Sequence, residues 1–547
     1  MNVKDFRLEL SVTVGGVPSV YSFVESGEND ALAVAFEKGG ERLKITLTPK
    51  TQLTIDGVEV TCPCAVGRKD RVLMNGYQSW TDTRELTVRD RMYGLLRAPK
   101  FLVRKFRVDL FGDYAFTEYS RRRGEFHGFS YGYVRRRDDS IELVGSLNEY
   151  TGYTILYYSA AAQTLRIVKD CAGIVTDAPY EIMDIAVLSG GDDDVFDRWF
   201  GMMGIPKTGL EPLRGYTSWY NHYQGISEDI INKDLAGMKH LPLEPQIFQI
   251  DDGFQTAVGD WLSTDPNKFP NGLRPIVSAV HKGGMKAGLW LAPLVCEKTS
   301  VIYRDKKDWI LKDANGELIC CGTNWSGFYA LDLDNEEVRE YLRRVFDTVF
   351  NVYGFDLVKL DFLYAAAMVQ RPDRTRGQSM CEAMDFLREL CGDKPILGCG
   401  VPLWSAFGKV EYCRIGCDVT LTWDDRLVMH RMHRERVSTK NDICDSIFRR
   451  QLDGRAFLND PDVFILRRTN VKLSEKRKRQ LATVNGLFGS VLFMSDDAGE
   501  YDEEQKALYK ETVSLTGAEV KKIISNKNRI IIKYAADGSC KKLKIRL

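Results

Sequence analysis

The stretch Leu357-Val358-Lys359-Leu360-Asp361-Phe362 is a short apolar run that carries one lysine and one aspartate. Windows with helical spacing of apolar residues lie on both sides of it. A short apolar run between two such windows predicts a strand buried on both faces of a parallel sheet. Seven more runs share this pattern, and they span residues 215–220, 247–251, 287–293, 396–400, 412–419, 457–460 and 491–495.

Helical windows separate these runs, for example at residues 228–239, 272–283, 335–353 and 378–390. Eight consecutive β/α units predict a (β/α)8 TIM barrel. A doubly wound sheet is the alternative, but it usually has fewer strands and needs a glycine-rich phosphate turn after its first strand. The first run, with Gly215-Tyr216-Thr217-Ser218-Trp219, contains no such turn. The pattern therefore predicts a multidomain α/β chain with a central barrel.

The segments on either side of the barrel read differently. Residues 1–205 contain many short runs with alternating polar and apolar residues, which predict the antiparallel strands of a sandwich followed by a linker. Residues 515–547 return to alternating runs, and Asp537-Gly538 between the last two predicts a hairpin. We therefore expect three parts: residues 1–205, the barrel at 206–514, and a small C-terminal antiparallel β-domain at 515–547.

Composition excludes several classes of protein. The 547 residues carry 76 lysines and arginines against 76 acidic residues, and this neutral balance speaks against a nucleic-acid partner. No apolar run is long enough for a membrane helix, and the N-terminus has no secretory signal, so a cytoplasmic protein without a membrane partner is expected. The 13 cysteines are scattered and odd in number, which does not suggest a disulfide framework. Neither they nor the six histidines show metal-ligand spacing, so no metal or other cofactor is expected. A homo-oligomer is compatible with this composition.

Polar side chains cluster where the predicted strands end. In a barrel, functional residues lie at the C-terminal ends of the strands. The fourth run carries Asp361 just before its last residue, with Lys359 two residues earlier on the same face. The sixth run carries Arg414 and Asp418, again on one face. Each of these pairs can also be a purely structural ion pair.

The other candidate site residues also have a purely structural explanation. The Asp251-Asp252 doublet ends the second run, where an aspartate is often a helix cap. Trp219 and Trp290 are interpreted as lying in the first and third strands, where a tryptophan belongs either to the core or to a sugar-stacking surface. Several carboxylates, one lysine, one arginine and aromatic rings together favour a neutral, polyhydroxylated ligand. Two carboxylates on different strands can then act as nucleophile and general acid/base in glycoside hydrolysis.

These residues resemble a known family. Val358-Lys359-Leu360-Asp361-Phe362 and Arg414-Ile415-Gly416-Cys417-Asp418 are similar to the two signature stretches of the α-galactosidases of glycoside hydrolase family 36, clan D, in its compact bacterial form. The resemblance continues, in chain order, through Asn75-Gly76-Tyr77-Gln78-Ser79-Trp80, Phe248-Gln249-Ile250-Asp251-Asp252, Gly288-Leu289-Trp290-Leu291-Ala292-Pro293, Leu397-Gly398-Cys399-Gly400 and Leu458-Asn459-Asp460-Pro461-Asp462.

The resemblance implies an N-terminal β-supersandwich and retaining hydrolysis of terminal α-linked galactose, without a cofactor. It implies that Asp361 is the nucleophile and Asp418 the acid/base. The side chains that it implies for substrate binding are those of Trp80, Trp219, Asp251, Asp252, Trp290, Lys359, Cys399 and Arg414. Asp418 must start protonated, which the charge on Asp361 favours and Arg414 opposes.

Two positions depart from the family pattern. Cys417 stands where proline is common before the acid/base, and Thr323 stands where an arginine is common before Asn324-Trp325. Neither change removes a catalytic carboxylate. The main hypothesis is therefore an α-galactosidase for small oligosaccharides such as melibiose or raffinose. An α-N-acetylgalactosaminidase, a transglycosidase and an inert sugar-binding protein are the alternatives.

Overall fold

A computed structural model describes residues 1–95, 98–424, 433–526 and 528–547. Its centre is a parallel sheet whose strands are almost entirely buried, as the apolar runs predict. Eight segments in chain order supply it: β16 (Leu213–Thr217), β17 (Ile247–Ile250), β18 (Lys286–Leu291), β22 (Leu357–Leu360), β23 (Ile396–Gly398), β24 (Tyr412–Arg414), β25 with β26 (Leu458–Asp460 and Val463–Phe464) and β27 (Val491–Met494).

The sheet closes into a barrel through a broken strand. Its order is β25-β24-β23-β22-β18-β17-β16-β27-β26, so the path begins and ends on β25 and β26. Only Pro461 and Asp462 separate these two segments in the sequence. Proline has no N–H for the ladder, and Asp462 has a positive φ of 64°. The two segments are therefore halves of one strand, and eight strands make a closed ring, which confirms the predicted TIM-type barrel.

Helices connect the barrel strands. Each of the four predicted helical windows is confirmed by a helix. In the third window the α-helix is followed by a π-helical stretch from residue 348. The helices of the barrel region are α3 (Trp219–His222), α4 (Glu228–Gly237), α5 (Arg274–Lys282), α6 (Val301–Asp305), α7 (Glu336–Asp347), α8 (Arg376–Cys391), α9 (Leu403–Ala406), α10 (Thr439–Phe448), α11 (Glu475–Phe488) and α12 (Glu503–Ser514). Between β18 and α7, an inserted antiparallel sheet comprises β19 (Val295–Glu297), β20 (Cys320–Gly322) and β21 (Phe328–Ala330).

Two antiparallel sheets precede the barrel and share one apolar core. The first contains β1 (Arg7–Val14), β2 (Val17–Phe23), β6 (Leu53–Pro63), β9 (Glu125–Phe129), β12 (Thr154–Ser159), β13 (Thr164–Lys169) and β14 (Ile174–Thr176). The second contains β3 (Gly27–Glu28), β4 (Leu32–Gly39), β5 (Arg42–Pro49), β7 (Arg71–Met74), β8 (Glu85–Leu86), β10 (Tyr131–Arg135), β11 (Ile141–Ser146) and β15 (Tyr180–Gly190). This sandwich is the one expected from the alternating runs. Helix α1 (Lys100–Phe106) lies between its strands in sequence, and α2 (Asp192–Met202) follows them.

The chain ends in a three-stranded antiparallel sheet. Its strands are β28 (Val520–Asn526), β29 (Arg529–Ala536) and β30 (Ser539–Arg546). Asp537 and Gly538 join the last two strands with positive φ values of 49° and 68°, the turn geometry that Asp-Gly favours. The predicted C-terminal hairpin is confirmed. Among the described residues, no helix combines the length and apolar character needed to cross a membrane.

Two predicted strands extend by three or more residues beyond the observed ones. The first ends at Thr217, because Ser218 takes a helical conformation and a short helix begins at Trp219. Trp219 is therefore not in the first strand, and that interpretation is wrong. The sixth strand ends at Arg414, so Asp418 lies in the following loop rather than in the strand. Both runs continue as buried loop, which an apolar pattern alone cannot distinguish from strand.

Candidate active site

Asp361 stands at the mouth of the barrel, directly after β22. Its N–H donates to the carbonyl of Leu291 on the neighbouring strand at 2.9 Å, which extends the ladder by one residue. The next residue, Phe362, has a φ of 55°, and this left-handed conformation turns the chain away. Oδ1 of Asp361 accepts a hydrogen bond from the N–H of Phe362 at 2.8 Å, and Oδ2 accepts one from Trp290 Nε1 at 3.0 Å. Both oxygens are thus held in a fixed orientation.

Lys359 pairs across the barrel rather than along its own strand. Its Nζ lies 2.9 Å from Asp251 Oδ2, which also accepts a hydrogen bond from Gln249 Nε2 at 2.8 Å. The sequence suggested Asp361 as the partner of Lys359, and the structure corrects this. Burial by itself lowers the pKa of Lys359, but the surrounding negative groups, Asp251 foremost and Asp361 among them, together outweigh it, so the pKa is raised and the ammonium is retained.

Asp252 lies beside Asp251, and its carboxylate accepts three side-chain hydrogen bonds. Gln255 Nε2 donates to Oδ1 at 2.6 Å, and Gln224 Nε2 and Trp325 Nε1 each donate to Oδ2 at 2.9 Å. Burial raises its pKa, and these donors oppose the shift. The doublet is therefore not a helix cap: both carboxylates are buried beside the barrel mouth.

Trp325 is a site residue that the sequence analysis did not propose. It belongs to the inserted sheet, in the turn between β20 and β21, and has a φ of 55°. Its ring centroid lies 6.2 Å from that of Trp290 and 5.1 Å from that of Phe362. The stretch Asn324-Trp325 was noted only for the preceding Thr323. No strand-end rule points to it, because it comes from an insertion rather than a barrel strand.

Arg414 holds three carboxylates. Its Nη1 donates to Asp418 Oδ1 at 3.0 Å, its Nε donates to Asp460 Oδ2 at 3.1 Å, and its Nη2 lies 2.8 Å from Asp462 Oδ1. The predicted contact of Arg414 with Asp418 is present, although Asp418 lies past the strand. Tyr220 completes the group, because its hydroxyl donates to Asp462 Oδ2. Burial raises the pKa of Asp462 to about 7.

Asp418 and Asp361 occupy different environments. Asp418 exposes 36% of its side chain, yet it lies in a recess where the loss of water raises its pKa. Arg414 and Lys359 oppose this shift, whereas the charges of Asp361 and Asp251 add to it. The net direction is upward, which favours the protonated form that a general acid needs.

A segment of the N-terminal sandwich reaches the barrel mouth. Trp80 Nε1 donates to Cys399 Sγ at 3.4 Å, and the ring of Trp80 lies 5.1 Å from that of Phe362. A Cβ on Gly400 would lie 2.8 Å from the Trp80 ring, so this close approach requires glycine. The fully buried Arg449 holds the segment, since its guanidinium donates to the carbonyls of residues 78, 79 and 81.

The remaining sequence candidates have plain contacts. The ring of Trp219 packs against Tyr223 at 5.1 Å, next to Ser218, whose hydroxyl accepts the Asp251 N–H. Cys417 is buried, and its thiol donates to the carbonyl of Ser438 at 3.4 Å, so the thiol faces the following segment. Thr323 Oγ1 donates to the carbonyl of residue 106 in the N-terminal part. Among the described residues, no three His, Cys, Asp or Glu side chains form a metal-binding group.

The chain matches a family model described as "Melibiase" over residues 218–387, from the first barrel strand's end to the helix after the fourth strand. An α-galactosidase of Escherichia coli is 29% identical over 193 residues, which is 34% of this chain and 26% of that protein. The matched region thus covers only about a quarter of the bacterial relative's length.

Solved structures share the fold over nearly the whole chain. The α-galactosidase TtGalA of Thermus thermophilus, solved with p-nitrophenyl α-D-galactopyranoside, superposes with a TM-score of 0.73 at 23% identity, covering 97% of this chain and 98% of that one. The family 36 α-galactosidase AgaA of Geobacillus stearothermophilus gives 0.57 at 12% identity, covering 97% and 74%. At these identities the similarity concerns the fold. The melibiase segment, the α-galactosidase relatives and this shared fold agree with the resemblance to the α-galactosidases of glycoside hydrolase family 36 found in the sequence.

Proposed function

We propose that this protein is a retaining, exo-acting α-galactosidase that removes terminal α-linked galactose from oligosaccharides such as melibiose or raffinose. One observation carries the proposal. Two carboxylates that follow the fourth and sixth strands differ in environment: Asp361 accepts hydrogen bonds from two N–H donors, whereas burial raises the pKa of Asp418. Such a difference separates a nucleophile from an acid.

In the proposed first step, an oxygen of Asp361 attacks the anomeric carbon and forms a covalent glycosyl ester. The bond to the leaving oxygen breaks with its electron pair on that oxygen, which takes the proton of Asp418. In the second step Asp418, now ionised, removes a proton from water, and the water oxygen displaces Asp361. The configuration at the anomeric carbon is inverted twice and so retained.

The binding roles follow from the polar groups beside this pair. Asp251, Asp252 and Lys359 are buried, charged and close together, and are proposed to bind the 3-, 4- and 6-hydroxyls of galactose. Arg414 and Cys399 are proposed to lie on the side of the 2-hydroxyl. The aromatic rings of Trp80, Trp219 and Trp290 are proposed to wall the pocket, where sugar C–H groups can stack on them.

Substrate identity is tested with a panel of p-nitrophenyl α-glycosides. We expect kcat/KM for the α-galactoside to exceed that for the α-glucoside by about 100-fold or more, because an equatorial 4-hydroxyl would leave buried carboxylates without a donor. A higher rate on the α-N-acetylgalactosaminide would favour that alternative activity. Accumulation of longer galactosides from raffinose would favour a transglycosidase. Binding of galactose without turnover of any glycoside would favour the alternative of an inert sugar-binding protein.

Trp325→Phe tests the part of the site that comes from the insertion. The ring contacts remain, but Asp252 loses one of its three hydrogen bonds, each worth about 1.5 kcal/mol or more at a charged group. We expect KM for the aryl α-galactoside to rise about 10-fold with kcat changed much less. The matched control is Trp309→Phe, which removes an indole hydrogen bond to Glu337 on the outer helix α7. If both changes affected KM equally, the assignment of Trp325 to the substrate site would be wrong.

A reducing, cytoplasmic location is proposed as well. All 13 cysteines are unpaired, and 11 of them are buried. Free thiols in this number suit a reducing compartment.

A further inference from the structure

A second cavity, separate from the sugar site, lies where three parts of the chain meet. It has a volume of about 290 Å³ and is lined by residues from 74–93, from 433–448 and from the C-terminal strands. None of the residues assigned above to the sugar pocket lines it. The proposed function therefore leaves it without a role.

Arginines dominate the wall of this cavity. Arg84 is paired with Asp82 at its edge, and Arg436 is paired with Asp424. Arg91 and Arg434 differ, because neither makes an ion pair with a carboxylate in the described part of the chain. Arg91 thus has no direct counter-charge among the described residues, whereas the nearby charges of Asp113, Glu435 and Asp82 raise the pKa of Arg434 without a direct ion pair.

Three nitrogen atoms in the same wall also lack hydrogen-bond partners among the described residues. They are Arg91 Nε, Arg434 Nη1 and His433 Nδ1, and all three atoms are shielded from solvent. Arg434 as a whole is only 6% exposed, and its other terminal nitrogen donates to the carbonyl of residue 82. Burying a donor without a partner costs about 1–3 kcal/mol, and a charged donor costs more. The unpartnered guanidinium nitrogens of Arg91 and Arg434 are therefore donors that an anionic acceptor would satisfy.

The acidic residues in the wall do not supply that acceptor. Glu85 is paired with Arg71 and Arg135, which lie on the sandwich strands. Asp90 Oδ2 accepts hydrogen bonds from both the N–H and the hydroxyl of Thr87. His433 adds no charge to the wall, because burial and the nearby Arg436 lower its pKa to about 4 and the ring is neutral at pH 7.

We propose that this cavity binds a phosphate group, either as inorganic phosphate or on a small metabolite such as a hexose phosphate. A phosphate dianion matches the two guanidinium groups that make no direct ion pair among the described residues, and its oxygens can accept from several N–H donors at once. The volume leaves room for more than the phosphate group alone. The ligand would bridge the N-terminal sandwich and the segment after the sixth barrel strand.

Calorimetric titration of the full chain with inorganic phosphate and with glucose 6-phosphate tests this site. The variant is Arg91→Ala, which should weaken binding about 10-fold or more and leaves no group of the protein unpaired. Arg89→Ala is the matched control, because Arg89 is two residues away, exposed and not part of the wall, and it should bind as the parent does. Arg434→Gln should weaken binding as well. Tighter binding of glucose 6-phosphate would identify a phosphorylated metabolite, and equal binding would identify the phosphate itself.

Thermal unfolding in matched salt separates binding from general salt effects, since phosphate also stabilises proteins by exclusion from their surface. A saturable rise in Tm that is lost in Arg91→Ala supports the site. The proposal is overturned if neither phosphate compound binds, if Arg91→Ala binds as the parent does, or if malonate binds as tightly as phosphate. Binding is measured without any glycoside, so the outcome is independent of the proposed α-galactosidase activity.

Discussion

Asp361→Asn is expected to lower kcat for an aryl α-galactoside by about 10⁴-fold or more, because the amide cannot form the glycosyl ester and losses of this order follow removal of a nucleophile. Asparagine has nearly the same shape as aspartate, so the side chain that contacts Trp290 Nε1 keeps its size and position. The fold should therefore persist. A 2-deoxy-2-fluoro galactosyl probe should label Asp361 in the parent protein, as read by mass spectrometry of the peptides.

Asp356→Asn is the matched control for this change. Asp356 lies just before β22, at the opposite end of the same strand, and it accepts hydrogen bonds from the N–H of Ala287 and from His281. Functional residues of a barrel lie at the other end of the strands, so this variant should keep its activity. Label on a different carboxylate, or full turnover by Asp361→Asn, would contradict the assignment of the nucleophile.

Asp418→Ala is expected to slow the hydrolysis of each substrate in proportion to how much its leaving group needs a proton. With raffinose, whose leaving group is a poor one, kcat/KM should fall about 10³-fold, within the usual range for a general acid. With an aryl galactoside, whose leaving group departs without much help, the loss in the first step should be much smaller. Equal losses on both substrates would contradict the acid/base role.

The pH profile gives a second measurement for the same residue. The acid must be protonated in the free enzyme, so kcat/KM should fall as pH rises through the pKa of Asp418, which burial raises above its ordinary value. The alkaline limb should therefore lie at higher pH than an ordinary aspartate would place it. In Asp418→Ala that limb should be absent. If the alkaline limb were unchanged in Asp418→Ala, it would report the titration of another group.

Most of the fold was predictable because its strands and helices have strong local patterns. Eight buried strands between amphipathic helices, and an Asp-Gly turn near the C-terminus, are visible as periodicity and turn chemistry. The errors fall where buried loop follows buried strand, at Trp219 and at Asp418. The apolar run continues there although the hydrogen-bond ladder between strands has ended. The loop residues that follow are buried too, and the apolar pattern reports burial rather than strand conformation.

The site was predictable to the extent that it lies at strand ends. Five predicted site residues lie at or near the C-terminal ends of barrel strands, and the structure brings them to one mouth: Asp251, Asp252, Lys359, Asp361 and Arg414. Trp325 and Gln224 were not predictable in this way, because Trp325 comes from an insertion and Gln224 from a short 3-10 helix after the first strand. Their positions follow from contacts between segments distant in sequence, such as the hydrogen bond from Trp325 to Asp252.

The sequence by itself determined the barrel, the flanking β parts and the two carboxylates on which the proposed chemistry depends. Only the tertiary structure decided how the charges pair: Lys359 joins Asp251 rather than Asp361, and Arg414 joins Asp460 and Asp462 as well as Asp418. The reason is physical. Periodicity reports which face a side chain occupies, whereas pairing depends on distances between strands that close only when the barrel closes. The phosphate cavity is the same kind of feature, because its donors come from segments hundreds of residues apart in sequence and acquire a common wall only in the folded chain.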